Sequence, residues 1–214
     1  MGIQERKERE KQKRRDEIID AAEEVFFKEG FETATMDNVA AKAELSKATL
    51  YTYFKSKEEL YYYICERGHL KLIDLVERAE KNVNKTMDLI KAYLYAVIRF
   101  HKRFPDYFQA IIYFQTNPLL QKLYEQNFDI TKHQNIHRRL IDKWIKAIQR
   151  GKEEGLIRQD LDPVNAGLLT WIQLTGFLKM YSVNKDIIQK DFNIKSEKLL
   201  EDYFDLLFKG ITIS

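Results

Sequence analysis

Along most of the chain, apolar residues return every three or four positions, the spacing that lines one face of an α-helix. Ile18, Ala21, Ala22, Val25 and Phe26 form such a stripe over 16–29, and Gly30 marks its stop. Met36, Val39, Ala40 and Ala43 then predict a short helix behind Thr35, a good N-cap. The chain breaks at Leu45-Ser46, and Ser46 caps a second short helix with Leu50 and Phe54 on its apolar side. Ser56 and Glu59 form a capping-box pattern that opens a long helix to about Val83. A helix over 86–104 carries Leu89, Tyr93, Val97 and Phe100, and Pro105 ends or bends it. Residues 106–115 are short and very apolar. Asn117-Pro118 opens a helical stretch to Gly151 with a break near 129–132. Asp162-Pro163 starts a helix, predicted to about Tyr181, that is apolar nearly all round. Ser196 is the expected cap of a last helix before Gly210.

Composition agrees with an all-α class. The chain has 214 residues, with 44% hydrophobic, 32% charged, three prolines and eight glycines. No apolar run reaches the roughly 18 residues of a membrane helix, and no apolar signal core follows the charged start. The single cysteine, Cys65, forms no internal disulfide and suits a reducing compartment, so a cytoplasmic location is expected.

Net charge is only +3, and its placement carries more information. Residues 5–15 hold seven Lys/Arg against three Glu; residues 16–44 hold two Lys against nine acids; residues 45–57 hold three Lys and no acid. Positive charge is concentrated in the N-terminal segment and in residues 45–57, the segment that contains the second short helix, and this placement points toward nucleic acid. Residues 1–15 read either as a solvated extension of the first helix or as an arm that reaches DNA through Arg14 and Arg15.

Two short helices with a tight turn, a small residue at Ala40 where they cross, and inward Val39, Ala43, Leu45 and Leu50 make a helix-turn-helix pattern. Its second helix is left with Ser46, Lys47, Ala48, Thr49, Tyr51, Thr52 and Tyr53 outward, a surface with hydroxyls and a cation but no acid. Such a surface suits a DNA major groove.

The order Ile18-Ile19-Asp20-Ala21-Ala22-Glu23-Glu24-Val25-Phe26, Gly30-Phe31, Thr35, Val39-Ala40, Ser46-Lys47-Ala48-Thr49-Leu50-Tyr51, Tyr53-Phe54 and Ser56-Lys57-Glu58-Glu59-Leu60 resembles the DNA-binding domain of the tetracycline-repressor (TetR) family. The resemblance covers roughly residues 12–62. Where the family's turn carries Gly, this chain has Glu44; a left-handed backbone there costs a non-Gly residue on the order of 1 kcal/mol. The resemblance implies that Tyr51 gives its hydroxyl to a phosphate. Lys57 and Thr35 would approach further phosphates, and Lys47, Ala48 and Thr49 would read base edges. The expected organisation is a charged extension (1–15), a three-helix head (16–62) and a larger helical effector-binding and dimerisation domain (63–214).

The last two helices carry more apolar surface than one stripe needs. Leu168, Ile172, Thr175, Leu200, Phe204 and Leu207 are the expected homodimer contacts, each subunit giving two helices to a four-helix bundle. A dimer would match a pseudo-palindromic operator in double-stranded DNA. Phe100, His101, Phe104, Phe108, Tyr113, Phe114, Trp144, Trp171 and Phe177 are candidates to line a pocket for a small apolar or aromatic effector, whose prior the resemblance raises. His133 and His137 lie four apart but lack a third ligand at supporting spacing, so no metal is assigned. No nucleophile motif or phosphate loop occurs, no cofactor is expected, and nothing argues for an enzyme. The function implied is a DNA-binding regulator, a repressor released by an effector. The alternatives are a helical DNA-binding dimer without a ligand, and a ligand-binding module whose DNA head is inactive.

Overall fold

A computed structural model describes residues 2–81, 83–127 and 131–213, apart from the side chains at 123–127, 131–135, 137 and 196. Tyr124, Phe128, His133 and His137 therefore lie outside the described residues or side chains. The described chain forms α1 (Ile3–Thr33), α2 (Met36–Lys42), α3 (Lys47–Tyr53), α4 (Lys57–Glu80) and α5 (Thr86–Arg103). It continues as α6 (Pro105–Thr116), α7 (Pro118–Asn127), α8 (Thr131–Glu153), α9 (Pro163–Phe192) and α10 (Ser196–Ile211). An isolated antiparallel bridge joins Ile157 and Thr212.

The chain packs as two units, Met1–His69 with Asp106–Phe128, and Leu70–Pro105 with Asp129–Ser214. The division falls inside α4, after the boundary expected at residue 62, and gives most of α6 and α7 to the first unit. In that unit Ile18, Ala22, Val25 and Phe26 of α1 are buried with Val39, Leu50, Phe54, Leu60 and Ile64. The N-terminal extension is helical from Ile3, and all its residues up to Arg14 are exposed. Gly30 stops the regular helix with φ 78°, ψ 163°, a conformation open to glycine, before one further turn. Gly68 lets α6 approach α4 closely: a Cβ there would stand 3.0 Å from the Ile111 side chain and 3.2 Å from that of Tyr107. Phe31, Tyr61 and Tyr113 stack edge-on or tilted, and Tyr113 donates to Glu32. The acidic face of α1 is partly consumed inside the same unit, since Arg67 pairs with Asp16, Asp20 and Glu23.

The second unit packs α5, α8, α9 and α10 with the end of α4 around Ile90, Leu94, Val97, Trp144, Ile148, Leu174 and Leu178. Asp162 caps α9 as expected, accepting from the Asn165 amide at 2.8 Å. The pattern predicts an end near Tyr181, yet α9 runs to Phe192 and stops at Asn193 in the left-handed region. No Gly or Pro interrupts 181–192, so nothing local ends the helix earlier. The cap position of α10 is Lys195 rather than Ser196, which is the first helical residue.

Candidate nucleic-acid interface

The site begins with two caps and a turn. The Thr35 hydroxyl accepts from the Asn38 amide at 3.1 Å, and the Asn38 side chain accepts the Thr35 amide at 3.1 Å. Thr35 thus satisfies the start of α2. At its other end the Leu45 amide reaches the Ala40 carbonyl and the Glu44 amide the Ala41 carbonyl, at 2.9 and 3.2 Å. This pair of bonds requires a left-handed residue between them, and Glu44 supplies it with φ 55°. Ser46 then caps α3, accepting from the Thr49 amide at 3.1 Å.

Leu50 is fully buried in α3, and so is Phe54 at its C-cap. The other side of the helix follows from those two anchors. Ser46, Lys47, Ala48, Thr49, Tyr51 and Thr52 are exposed, and Tyr53 is half-buried. The hydroxyls are held locally: Ser46 Oγ lies 2.8 Å from Thr49 Oγ1, and Thr52 donates to the Thr49 carbonyl. Lys47 Nζ lies 2.7 Å from Asp37 Oδ1 of α2, and this hydrogen bond raises the lysine's pKa. Asp37 has no signal in local sequence; ten residues separate it from Lys47, and only the turn brings them together.

Two expected DNA contacts are engaged inside the head. Lys57 Nζ donates to the carbonyls of Phe31, Glu32 and Ala34 at 2.9, 3.3 and 3.2 Å and lies 4.5 Å from the Phe31 ring centroid. It thereby satisfies the open carbonyls where α1 ends. Arg15 donates to the Tyr53 carbonyl, while Arg14 pairs with Glu17 at 2.8 Å. The capping box at α4 is also displaced by one residue: Ser56 accepts from the Glu59 amide, but the Glu59 carboxylate accepts from Lys55.

The expected pocket residues fall in both units. Phe108, Tyr113 and Phe114 belong to the first, where Phe108 is buried and Tyr113 joins the aromatic cluster with Phe31 and Tyr61. Phe100, His101, Phe104, Trp144, Trp171 and Phe177 belong to the second. There Phe100 and Trp144 are core, and His101 Nε2 lies 2.7 Å from Ser182 Oγ. Burial, and then the neighbouring Lys102, lower the His101 pKa. A void of about 10 Å³ touches Trp144 and Trp171, and an open groove of about 520 Å³ runs between α5 and α10 past Tyr95, Phe204 and Phe208. Among the described residues no cluster of three or more metal-ligating side chains occurs, and no helix is long and apolar enough to cross a membrane.

Half of the expected dimer contacts lie inside the protomer. Thr175, Phe204 and Leu207 are buried, and the Thr175 hydroxyl donates to the Trp171 carbonyl. Helical periodicity places a residue on a face but does not say whether the same chain already covers that face. Leu168 and Ile172 are exposed, as are Val164, Leu169, Met180, Val183 and Ile187 of α9 and Leu206 of α10.

Comparison with known proteins gives a consistent answer. The model of bacterial regulatory proteins of the tetR family matches residues 18–64. The transcriptional activator FasR of Mycolicibacterium smegmatis is 34% identical over 87 residues, 41% of this chain and 40% of its own length. The transcriptional repressor KstR2 of the same organism is 27% identical over 154 residues, 70% of each chain. The solved complex of SmeT with triclosan superposes with a TM-score of 0.63 at 22% identity, covering 94% of this chain and 92% of that one. That structural likeness bears on the fold.

Proposed function

We propose that the chain is a transcriptional regulator of the TetR family, an operator-binding repressor released by a small apolar effector. The observation that carries the reading is the exposed surface of α3: one lysine, three hydroxyl side chains besides its cap and no carboxylate of its own. Lys47, Ala48 and Thr49 are assigned to base edges; Thr35, Ser46, Tyr51, Thr52 and Tyr53 are assigned to the backbone. Lys57 reaches a phosphate in this scheme only by sharing or leaving the carbonyls it now holds.

One seven-residue helix reads few base pairs, so two copies are required on a two-fold site, with heads about 34–36 Å apart or a multiple of that. We assign the pairing surface to the exposed apolar face of α9, where Leu169, Ile172, Met180, Val183 and Ile187 recur at three- and four-residue steps, with helical turns between some of them. The aromatic-rich middle of the chain and the ligand seen in the SmeT complex support an apolar effector. Helix α4 is unbroken from Lys57 to Glu80 and contributes to both units, so the coupling is routed through it. An effector acts by preferring one arrangement of the dimer over the other. Repression is favoured over activation because the KstR2 match covers more of this chain than the FasR match.

Enrichment of duplexes from a random-sequence pool, followed by footprinting upstream of the protein's own gene, tests the reading. An enriched pseudo-palindrome is expected, with roughly tenfold weaker binding by Lys47→Ala at the base pairs it reads. No enrichment at moderate salt, or unchanged binding by both Lys47→Ala and Tyr51→Ala, refutes it. Release of the enriched duplex on adding triclosan or a comparable apolar aromatic compound tests the effector class.

A further inference from the structure

The basic segment at the start of α1 is exposed residue after residue, with one exception. Between Gly2 and Glu17 only Arg15 is half-buried. Its guanidinium lies 4.3 Å from the ring centroid of Phe54 and 5.0 Å from that of Tyr63. From there its Nη1 donates to the Tyr53 carbonyl at 2.7 Å. Tyr53 is the last residue of α3, and Phe54 is its C-cap.

That carbonyl is one a helix cannot satisfy by itself. The last carbonyls of any helix lack an intrahelical donor and carry partial negative charge. A helix of seven residues is also well short of the length at which helices hold together alone in water. The orientation of α3 therefore comes from its contacts with the rest of the head. Leu50 and Phe54 supply the apolar anchors, and Ser46 and Thr49 settle the N-terminal end. Arg15 supplies the polar anchor at the other end. A planar guanidinium can stack on two rings and still present a donor in its own plane; an ammonium can only donate. Lys57 shows the same combination of ring and open carbonyls at the end of α1, so the head uses a cation to close each of two helix ends.

We propose that Arg15 is a positioning residue for sequence-specific DNA recognition: it clamps the C-terminal end of α3 and sets the tilt of the reading surface without touching DNA. The proposal rests on the DNA-binding reading of α3. It separates Arg15 from its exposed neighbours Lys11, Lys13 and Arg14, of which Lys13 and Arg14 lie beside the exposed Glu17 carboxylate and bind no backbone carbonyl of α3. A positioning residue and a phosphate contact differ in what salt and sequence do. Losing a phosphate contact weakens every duplex alike and lowers the slope of log affinity against log salt by about 0.9. Losing a positioning contact weakens only the duplex that α3 reads and leaves the slope alone.

The test uses the full chain, a duplex that the wild type enriches from a random-sequence pool, and an unrelated duplex of equal length. Arg15→Ala is expected to bind the enriched duplex about tenfold more weakly, the scale of a well-placed charge at a helix end. Its affinity for the unrelated duplex and its salt slope stay unchanged. Arg15→Lys falls between the two chains. Amide exchange at Phe54 rises in Arg15→Ala while exchange at Val39 in α2 does not. Should Arg15→Ala lose its head fold by circular dichroism, Arg15→Lys carries the same comparison. A lower salt slope with equal loss on both duplexes overturns the proposal in favour of a phosphate contact. Full recovery by Arg15→Lys overturns the stacked clamp, and unchanged affinity with unchanged exchange removes any role. A wild-type chain that enriches no duplex overturns the DNA reading and this proposal together, whereas enrichment with an unaltered Arg15→Ala overturns this proposal alone.

Discussion

The seven residues of α3 and the thirty of α9 meet solvent with opposite chemistry. On α3 the one large aliphatic side chain is used up: Leu50 is 0% exposed, and what remains outside is hydroxyl, amine, phenol and the small Ala48 methyl. On α9 the inner positions are equally well buried, with Leu174 at 0%, yet Ile172 stays 61% exposed and Val183 66%. A short helix needs every apolar group it has for its own placement, so its outer face is left for polar recognition. A long helix has apolar groups to spare, and a face of branched aliphatic residues in water is the mark of a surface awaiting another apolar surface. That difference is the ground for the partners proposed, a polyanion for α3 and a second protein surface for α9.

The comparison can be broken at its strongest points first. Leu50→Ala removes the one fully buried side chain within α3 and is expected to destabilise the first unit by about 2–5 kcal/mol. Faster amide exchange over 47–54 and a lower urea midpoint measure it; a change below that range would show that α3 is not held by this residue. Ile172→Glu changes nothing inside the protomer, but it places a carboxylate on the proposed pairing face. The expected result is a self-association roughly hundredfold weaker or more by sedimentation equilibrium, with circular dichroism unchanged. A wild type that is monomeric at all concentrations, or a variant that pairs as well, would move the partner surface elsewhere.

Smaller effects sharpen the picture within each unit. Glu44→Gly should stabilise the head by about 1 kcal/mol, because the turn holds Glu44 at φ 55° with a Cβ that glycine lacks. A denaturant midpoint that does not rise would mean the strain is relieved by another contact. Glu80 gives the smallest effect and a pH dependence. Burial opposes its charge, but hydrogen bonds from Lys143 and Tyr93, both at 2.7 Å, outweigh burial and lower its pKa. Its stabilisation is therefore present above the ordinary carboxylate value of 4.5 and lost as the pH falls through the lowered one. Glu80→Gln should flatten that acid limb by less than about 1 kcal/mol, the range of a partly exposed pair. An acid limb identical to the wild type's would exclude the triad as its source.

What could be read from sequence alone follows a single physical line. Features set by near neighbours were legible: the caps Thr35, Ser46 and Asp162, the stop at Gly30 and the buried Leu50 and Phe54. So was the polar face of α3, because a helix with known inward positions has known outward ones. The end of α9 was not legible, since periodicity weakens before the helix does. Of the candidate interface, the outward residues of α3 were legible, but the partners that hold them were not. Asp37 beside Lys47, the Tyr53 carbonyl at Arg15 and the α1 carbonyls around Lys57 are all meetings of distant positions.

Sequence by itself thus determined that the chain is helical, where its caps lie and which face of α3 looks outward. Those properties depend on residues within a few positions of one another. Tertiary structure alone decided that Arg15 and Lys57 turn inward to close helix ends rather than outward as free charges. It also decided that Thr175, Phe204 and Leu207 are core while Ile172, Val183 and Ile187 remain exposed. A side chain's local spacing gives its direction from the helix axis, but what occupies that direction depends on which other elements pack there.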